Sequence, residues 1–189
     1  MLILHPYSLT RWEEQQETWD ALRKIESANL GIIVKDVRCD GPQDYDKALK
    51  RVWGNHNLVI CEQDIVPTLE MIQRLASCNE YVCAQAYRLP LAEYAYPIAH
   101  RDYDESGTPC YIGSSKGWAD IIGLGLAHFD LMFQILNPDI LDNLPPGDWQ
   151  NLDIRLSKLI SEKVTVNKWS RGLGPFHIHY PEVKHNHKG

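Results

Sequence analysis

Four short apolar runs alternate with three helical patterns between residues 1 and 86, and this alternation narrows the folds open to the chain. Leu2 to His5 reads as a buried strand that Pro6-Tyr7-Ser8 breaks. Thr10-x-x-Glu13 has the form of a capping box, so a helix is expected to follow, with Trp12, Trp19, Leu22 and Ile25 close to one face. Gly31 to Val37 is the second strand, with Asp36 near its end, and Tyr45 to Trp53 is a helix carrying Ala48, Leu49 and Val52 inward. Leu58 to Cys61 is the third strand, Thr68 to Ala76 a helix, and Tyr81 to Ala86 a fourth strand. Strands alternating with helices in this way are joined by crossovers and run parallel. The expected class is therefore α/β, with a mostly parallel sheet flanked by helices in a single domain.

The third strand stops abruptly at two carboxylates, Glu62 and Asp64, separated by Gln63. Ligands of open α/β sheets bind at the carboxyl ends of strands. A pair of acids there, followed by Pro67 and a helix, is suited to a hard divalent cation, which in turn holds phosphate oxygens. The formal net charge of -6 argues against duplex nucleic acid or an anionic membrane as the main partner. Cys39, Cys61, Cys78, Cys83 and Cys110 are irregularly spaced, show no zinc-motif spacing and read as thiols of a reducing compartment. No segment has the length of a transmembrane helix, and the first residues lack the pattern of a signal peptide, so a cytoplasmic protein is expected.

The second half is less regular. Residues 89–117 contain three prolines and scattered charge and are expected to form loops. Gly123-Leu124-Gly125-Leu126 lacks the third glycine of a dinucleotide fingerprint; it reads as a strand whose glycines admit a ligand or another backbone. Asp130 to Leu136 is a short helix ended by Asn137-Pro138. Pro145-Pro146-Gly147 leads into a helix striped by Leu152, Leu156, Leu159 and Ile160. Asp148 and Asp153 lie at or near the start of that helix, where its dipole also favours an acid. Lys163 to Asn167 is expected to be a strand. Near the end, His177 and His179 alternate with Phe176, Ile178 and Tyr180, so they share one face of a strand, and His185 and His187 follow.

Together these motifs resemble the nucleotide-sugar-dependent glycosyltransferases of the GT-A fold. Leu58 to Asp64 resembles that family's strand ending in a D-x-D motif, with Glu62 replacing the first aspartate. The resemblance implies a nucleotide-binding half over residues 1–86 and an acceptor half over residues 87–189 that carries a C-terminal metal-binding segment. It implies Mn²⁺ or Mg²⁺ held by Asp64 with His179, or failing that His177. Pro6, Tyr7, Ser8, Asp36, Glu62 and Lys184 would then contact the nucleotide, and Gly123 and Gly125 would frame the donor sugar. Asp148 or Asp153 would be the catalytic base, with Asp148 preferred because a stiff Pro-Pro-Gly approach precedes it. The implied reaction moves a sugar from a nucleoside-diphosphate sugar, UDP-sugars favoured, to an acceptor hydroxyl; a carboxylate lying across the donor as base would make it inverting, and without one it would be retaining.

Three other readings use the same parts. A metal-dependent nucleotidyltransferase also needs acids, a cation and a nucleotide. A non-catalytic nucleotide-sugar-binding module would keep the scaffold alone. A zinc hydrolase built on the terminal histidines ranks last, because no H-E-x-x-H stretch is present.

Overall fold

The computed structural model describes residues 1–28, 31–87, 102–103, 109–110, 118–119, 121–145, 152–164 and 176–186. In chain order the strands are β1 (Leu2–Tyr7), β2 (Ile33–Arg38), β3 (Leu58–Cys61), β4 (Ile65–Val66), β5 (Val82–Tyr87), β6 (Asp102–Tyr103), β7 (Pro109–Cys110), β8 (Trp118–Ala119), β9 (Leu126–Phe129) and β10 (Phe176–His185). The helices are α1 (Trp12–Ser27), α2 (Pro42–Val52), α3 (Leu69–Ala76), α4 (Leu131–Leu136) and α5 (Leu152–Val164).

Eight strands form one sheet in the order β2-β1-β3-β9-β5-β10-β4, with β8 also paired to β10. β1, β2, β3, β5 and β10 point one way, while β4, β8 and β9 run against them. The mostly parallel α/β class expected from the alternation is the class observed. A strand from the second half of the chain, β9, lies between β3 and β5. β6 and β7 form a separate two-stranded ribbon within the stretch expected to be loops.

Side-chain alternation along the central strands builds two cores. Leu2, Leu4, Leu58, Ile60, Ala127 and Phe129 face α2 and α5, joining Leu49, Val52, Leu152, Leu156 and Ile160. Ile3, Val59, Cys61, Cys83 and Leu126 point the other way, toward Leu22 and Ile25 of α1 and Ile72 and Leu75 of α3. β3 is buried on both sides, as the continuous apolar run of a central strand requires.

Local signals set several boundaries. The Thr68 side chain accepts from the Met71 N–H and starts α3, and Asp130 accepts from the Met132 and Phe133 N–H groups and starts α4. Thr10 behaves differently from the capping-box expectation. It lies in a 3₁₀ turn, Leu9–Arg11, and its hydroxyl bonds the Ser8 hydroxyl at 2.9 Å. β1 also runs past Pro6 to Tyr7. The pairing of β1 with β3 stops at Leu4, and beyond it the Cys61 carbonyl of β3 is bonded by His5 Nδ1 at 2.9 Å, so the missing Pro6 N–H leaves no ladder acceptor unmet on that side. Lys163 and Val164, expected to open a strand, are the last turn of α5.

Candidate functional site

The carboxyl end of β3 turns sharply into β4. The Glu62 carbonyl accepts from the Ile65 N–H at 3.1 Å, and the Glu62 N–H donates to the Gly125 carbonyl at 2.8 Å. The turn is tied to the end of β1 through Gln63, whose Oε1 accepts from the Ser8 N–H at 2.7 Å and from Gln15 Nε2 at 3.0 Å. On its other side the Asp64 carbonyl accepts from the Asn186 N–H at 2.7 Å, just beyond β10. Three strand ends that are far apart in sequence are thereby fixed around the two acids.

Glu62 reaches toward the α2 side of the sheet, where the Tyr45 hydroxyl donates to its Oε1 at 3.1 Å. Burial, then the charges of Asp64 and Asp153, push the Glu62 carboxyl up to about 8, against the opposing pull of the Tyr45 hydrogen bond. The Asp153 carboxyl, in the first turn of α5, is pushed up to about 6 by burial, although it accepts from the Ile154 N–H at 2.7 Å. Tyr87 is buried, and its hydroxyl is held well above the ordinary range by burial first and by the charges of Glu62, Asp153 and Asp64 after it. The charges of Asp64, in the turn after β3, and of Asp153, at the start of α5, thus both oppose ionisation of Glu62. A donor set of carboxylate oxygens suits a hard divalent cation such as Mg²⁺ or Mn²⁺, whose charge would relieve that mutual repulsion. Among the described residues Glu62, Asp64 and Asp153 do not form a group of donor atoms within 4.8 Å of one another, so the fit is that of the Glu62–Asp64 turn and not of a three-acid cage.

The other residues singled out in the sequence divide into groups. Pro6, Tyr7 and Ser8 lie at the carboxyl end of β1, and Ser8 touches the acid turn through Gln63. Asp36 lies within β2, in register with His5, and is ion-paired with Arg23, whose guanidinium also sits 5.5 Å from the Trp19 ring centroid. Lys184 is in register with Val66 and ion-paired with Glu17 of α1. Gly123 is buried in the segment before β9. Gly125 packs against Tyr87: a Cβ there would lie 2.7 Å from Tyr87 Cε1 and 3.1 Å from Ile65 Cδ1, so the space beside this glycine is filled by protein. Asp148 lies outside the described residues, as does His187.

His177 and His179 are placed with Cys78 rather than with Asp64. The donor atoms of the three lie within 4.8 Å of one another. His179 is in register with Gln85, whereas the strand partner of Ile65, beside the acid turn, is His185. A hydrogen bond from Cys83, with further bonds from His179 and His177, draws the Cys78 thiol far below the ordinary range.

Tyr45, Tyr87 and Gln63 were not anticipated. Tyr45 carried a readable signal, since it falls three and four residues before Ala48 and Leu49, on the buried stripe of its helix. Tyr87 and Gln63 carried none, because their roles depend on which strand ends meet.

No protein-family model and no curated protein matches this chain. Among solved structures it is similar to a 4-diphosphocytidyl-2C-methyl-D-erythritol synthase from Anaerococcus prevotii, with a TM-score of 0.52 at 8% identity over 99% of this chain and 92% of that one. It is also similar to a glycosyltransferase involved in the glycosylation of the major capsid of PBCV-1, with a TM-score of 0.48 at 8% identity over 95% of this chain and 81% of that one. The fold is a Rossmann-like α/β sheet of the kind seen in that synthase. In a Rossmann-like sheet ligands bind at the carboxyl ends of the strands, and Glu62 and Asp64 directly follow the carboxyl end of β3. Among the described residues no helix is long and apolar enough to cross a membrane.

Proposed function

We propose that the protein is a nucleotide-dependent transferase whose acidic cluster holds a divalent cation and, through it, a nucleoside diphosphate. The favoured reaction is transfer of a sugar from a nucleoside-diphosphate sugar, of the UDP class, to an acceptor hydroxyl. One observation carries the reading: the turn that bears Glu62 and Asp64 closes the carboxyl end of β3 and is tied to the ends of β1 and β10. A diphosphate brought to these acids without a cation would meet like charge at short range.

Asp64 and Glu62 would hold Mn²⁺ or Mg²⁺. When bound, the ion supplies positive charge against the departing diphosphate. His185, in register with Ile65, is the C-terminal histidine whose backbone position suits a nitrogen ligand; mixed oxygen and nitrogen ligation favours Mn²⁺ over Mg²⁺. Asp153 suits the general base, because its carboxyl is pushed up to about 6 and can therefore exchange a proton near neutral pH. Asp148 is the second candidate for that role. A carboxylate acting on the acceptor from across the donor would invert the anomeric carbon. Ser8 and Tyr7, at the neighbouring strand end, would border the nucleotide.

Nucleotidyl transfer is the competing reading, and the likeness to the diphosphocytidyl-methylerythritol synthase over 99% of this chain favours it. A thermal-shift screen of nucleotide sugars and nucleoside triphosphates, with and without Mn²⁺, tests both. Product analysis then separates them: free nucleoside diphosphate marks glycosyl transfer and pyrophosphate marks nucleotidyl transfer. A screen with no cation-dependent shift for any nucleotide would reject the transferase reading altogether.

A further inference from the structure

A second constellation lies near the amino end of β5, on the sheet face covered by α1 and α3. His128 of β9 is in register with Cys83 of β5, and Cys83 with His177 of β10, so three adjacent strands present one row of imidazole, thiol and imidazole. His179 follows His177 on the same face, with the two ring centroids 4.5 Å apart. Cys78, in the turn between α3 and β5, reaches this row from below: its Sγ lies 3.4 Å from His177 Nδ1. Cys83 Sγ stands behind, 3.8 Å from His128 Nδ1.

We propose that Cys78, His177 and His179 form a binding site for a borderline-soft divalent cation of the zinc class, distinct from the acidic cluster. The donor set is one thiolate and two imidazole nitrogens, which zinc accepts and Mg²⁺ does not. The spacing fits. A thiolate and an imidazole on one tetrahedral zinc ion stand about 3.6 Å apart, given their usual bond lengths. Here the Sγ to Nδ1 separation is 3.4 Å, and the three donor atoms all lie within 4.8 Å of one another. His179 Nε2 is buried and meets no hydrogen-bond partner among the described residues, an arrangement that an ion or its bound water would satisfy. All three residues keep partial solvent access, which provides an entry path and a fourth ligand from water.

The consequence is a clip between distant parts of the chain. Cys78 and His177 are 99 residues apart, so the ion would fasten β10 to the α3–β5 turn. β10 leads to Lys184 and Asn186 beside the acid turn, so the clip would hold a strand that borders the other site. An ion that binds the folded chain and not the unfolded one raises its stability by mass action.

Co²⁺ added to the chelator-stripped, reduced full chain tests the proposal. One equivalent should produce thiolate-to-cobalt charge-transfer absorption with tetrahedral ligand-field bands, and Zn²⁺ should bleach both. Cys78→Ser should abolish the charge-transfer band. His177→Gln and His179→Gln should each weaken Co²⁺ binding by at least about tenfold, the cost of disturbing even an outer partner. Cys39→Ser should leave the spectrum unchanged, because that thiol is buried on the other face of the sheet. X-ray absorption of the zinc-loaded wild type, which needs no variant, should show one sulfur and two imidazole ligands. No charge-transfer band in the wild type, a band kept in Cys78→Ser, or a shell of oxygen and nitrogen alone would overturn the proposal. Mn²⁺-dependent nucleotide binding measured in Cys78→Ser should change less than about twofold, so failure of this site is read separately from failure of the transferase reading.

Discussion

The two ends of β5 carry opposite chemistry. At its carboxyl end Tyr87 packs against Gly125 near Glu62, Asp64 and Asp153, a half-buried oxygen-rich group in which Glu62 and Asp153 resist ionising. Four residues earlier, roughly 13 Å along the strand, Cys83 lies in a row of histidines where sulfur and nitrogen donors gather around Cys78. Burial suppresses the charge of Glu62 and Asp153, for Glu62 with help from its acidic neighbours, and a bound cation would restore it. The Cys-His group carries less such conflict, since neutral imidazoles can lie against a thiol or a thiolate without repulsion. One strand can therefore support a hard, phosphate-directed site and a soft, metal-clipping site that share no ligand.

Substitutions at the acid end should have the largest effects, and each should leave the Cys-His end intact. Asp153→Asn is expected to lower turnover by about a hundredfold to ten-thousandfold, the usual contribution of a general base, with donor affinity nearly unchanged. Full turnover in Asp153→Asn, with loss in Asp148→Asn, would move the base to Asp148. Gly125→Ala comes next, because its Cβ would lie 2.7 Å from Tyr87 Cε1. Overpacking of this kind costs about 1–3 kcal/mol, readable as a lowered denaturation midpoint. A midpoint equal to wild type would show that the Tyr87 ring is free to move and that the acid end is looser than described.

The pH dependence of stability separates the two ends further. Glu62 and Asp153 have carboxyl pKa values raised in the folded state, so the fold holds protons that the unfolded chain releases. Stability should then fall as pH rises, from about 4.5 to 8 for Glu62 and from about 3.8 to 6 for Asp153, and level off above. The slope is at most about 1.4 kcal/mol per pH unit for each group. Glu62→Gln should flatten the upper part of this window, and saturating Mn²⁺ should do the same in the wild type while releasing a proton at pH 7. Identical pH profiles for Glu62→Gln and wild type would contradict the assigned cause. The smallest effect belongs to Tyr45→Phe. Removing the hydrogen bond to Glu62 Oε1 should raise the Glu62 carboxyl slightly further and weaken Mn²⁺ binding by about 0.5–1.5 kcal/mol, measured by calorimetry.

What was readable in the sequence follows locality. Leu58 to Cys61 and the acids after it were legible because an apolar run and its break are contiguous, and the caps at Thr68 and Asp130 act within three residues. The convergence of Asp153 on Glu62 was legible only through resemblance, since nothing local relates a helix start to a strand end 91 residues earlier. The insertion of β9 between β3 and β5 was not legible, because pairing order depends on long-range closure. The same cause hid the Cys78 group. His177 and His179 were correctly read as neighbours on one strand face, but their partner comes from the α3–β5 turn, and no short spacing marks it. Thr10 misled because Ser8, two residues away, offers its hydroxyl a nearer partner than the helix.

The central claim is that the acids at the end of β3 bind a nucleoside diphosphate through a divalent cation. Calorimetric titration of UDP into the protein, with Mn²⁺ and again in excess chelator, tests it most directly, with Asp64→Ala measured alongside. Affinity should drop by at least about tenfold, or about 1.4 kcal/mol, when the cation is removed, and Asp64→Ala should behave in Mn²⁺ as the wild type does in chelator. Equal affinity with and without the cation, or an Asp64→Ala protein that keeps the full Mn²⁺ effect, would contradict the claim.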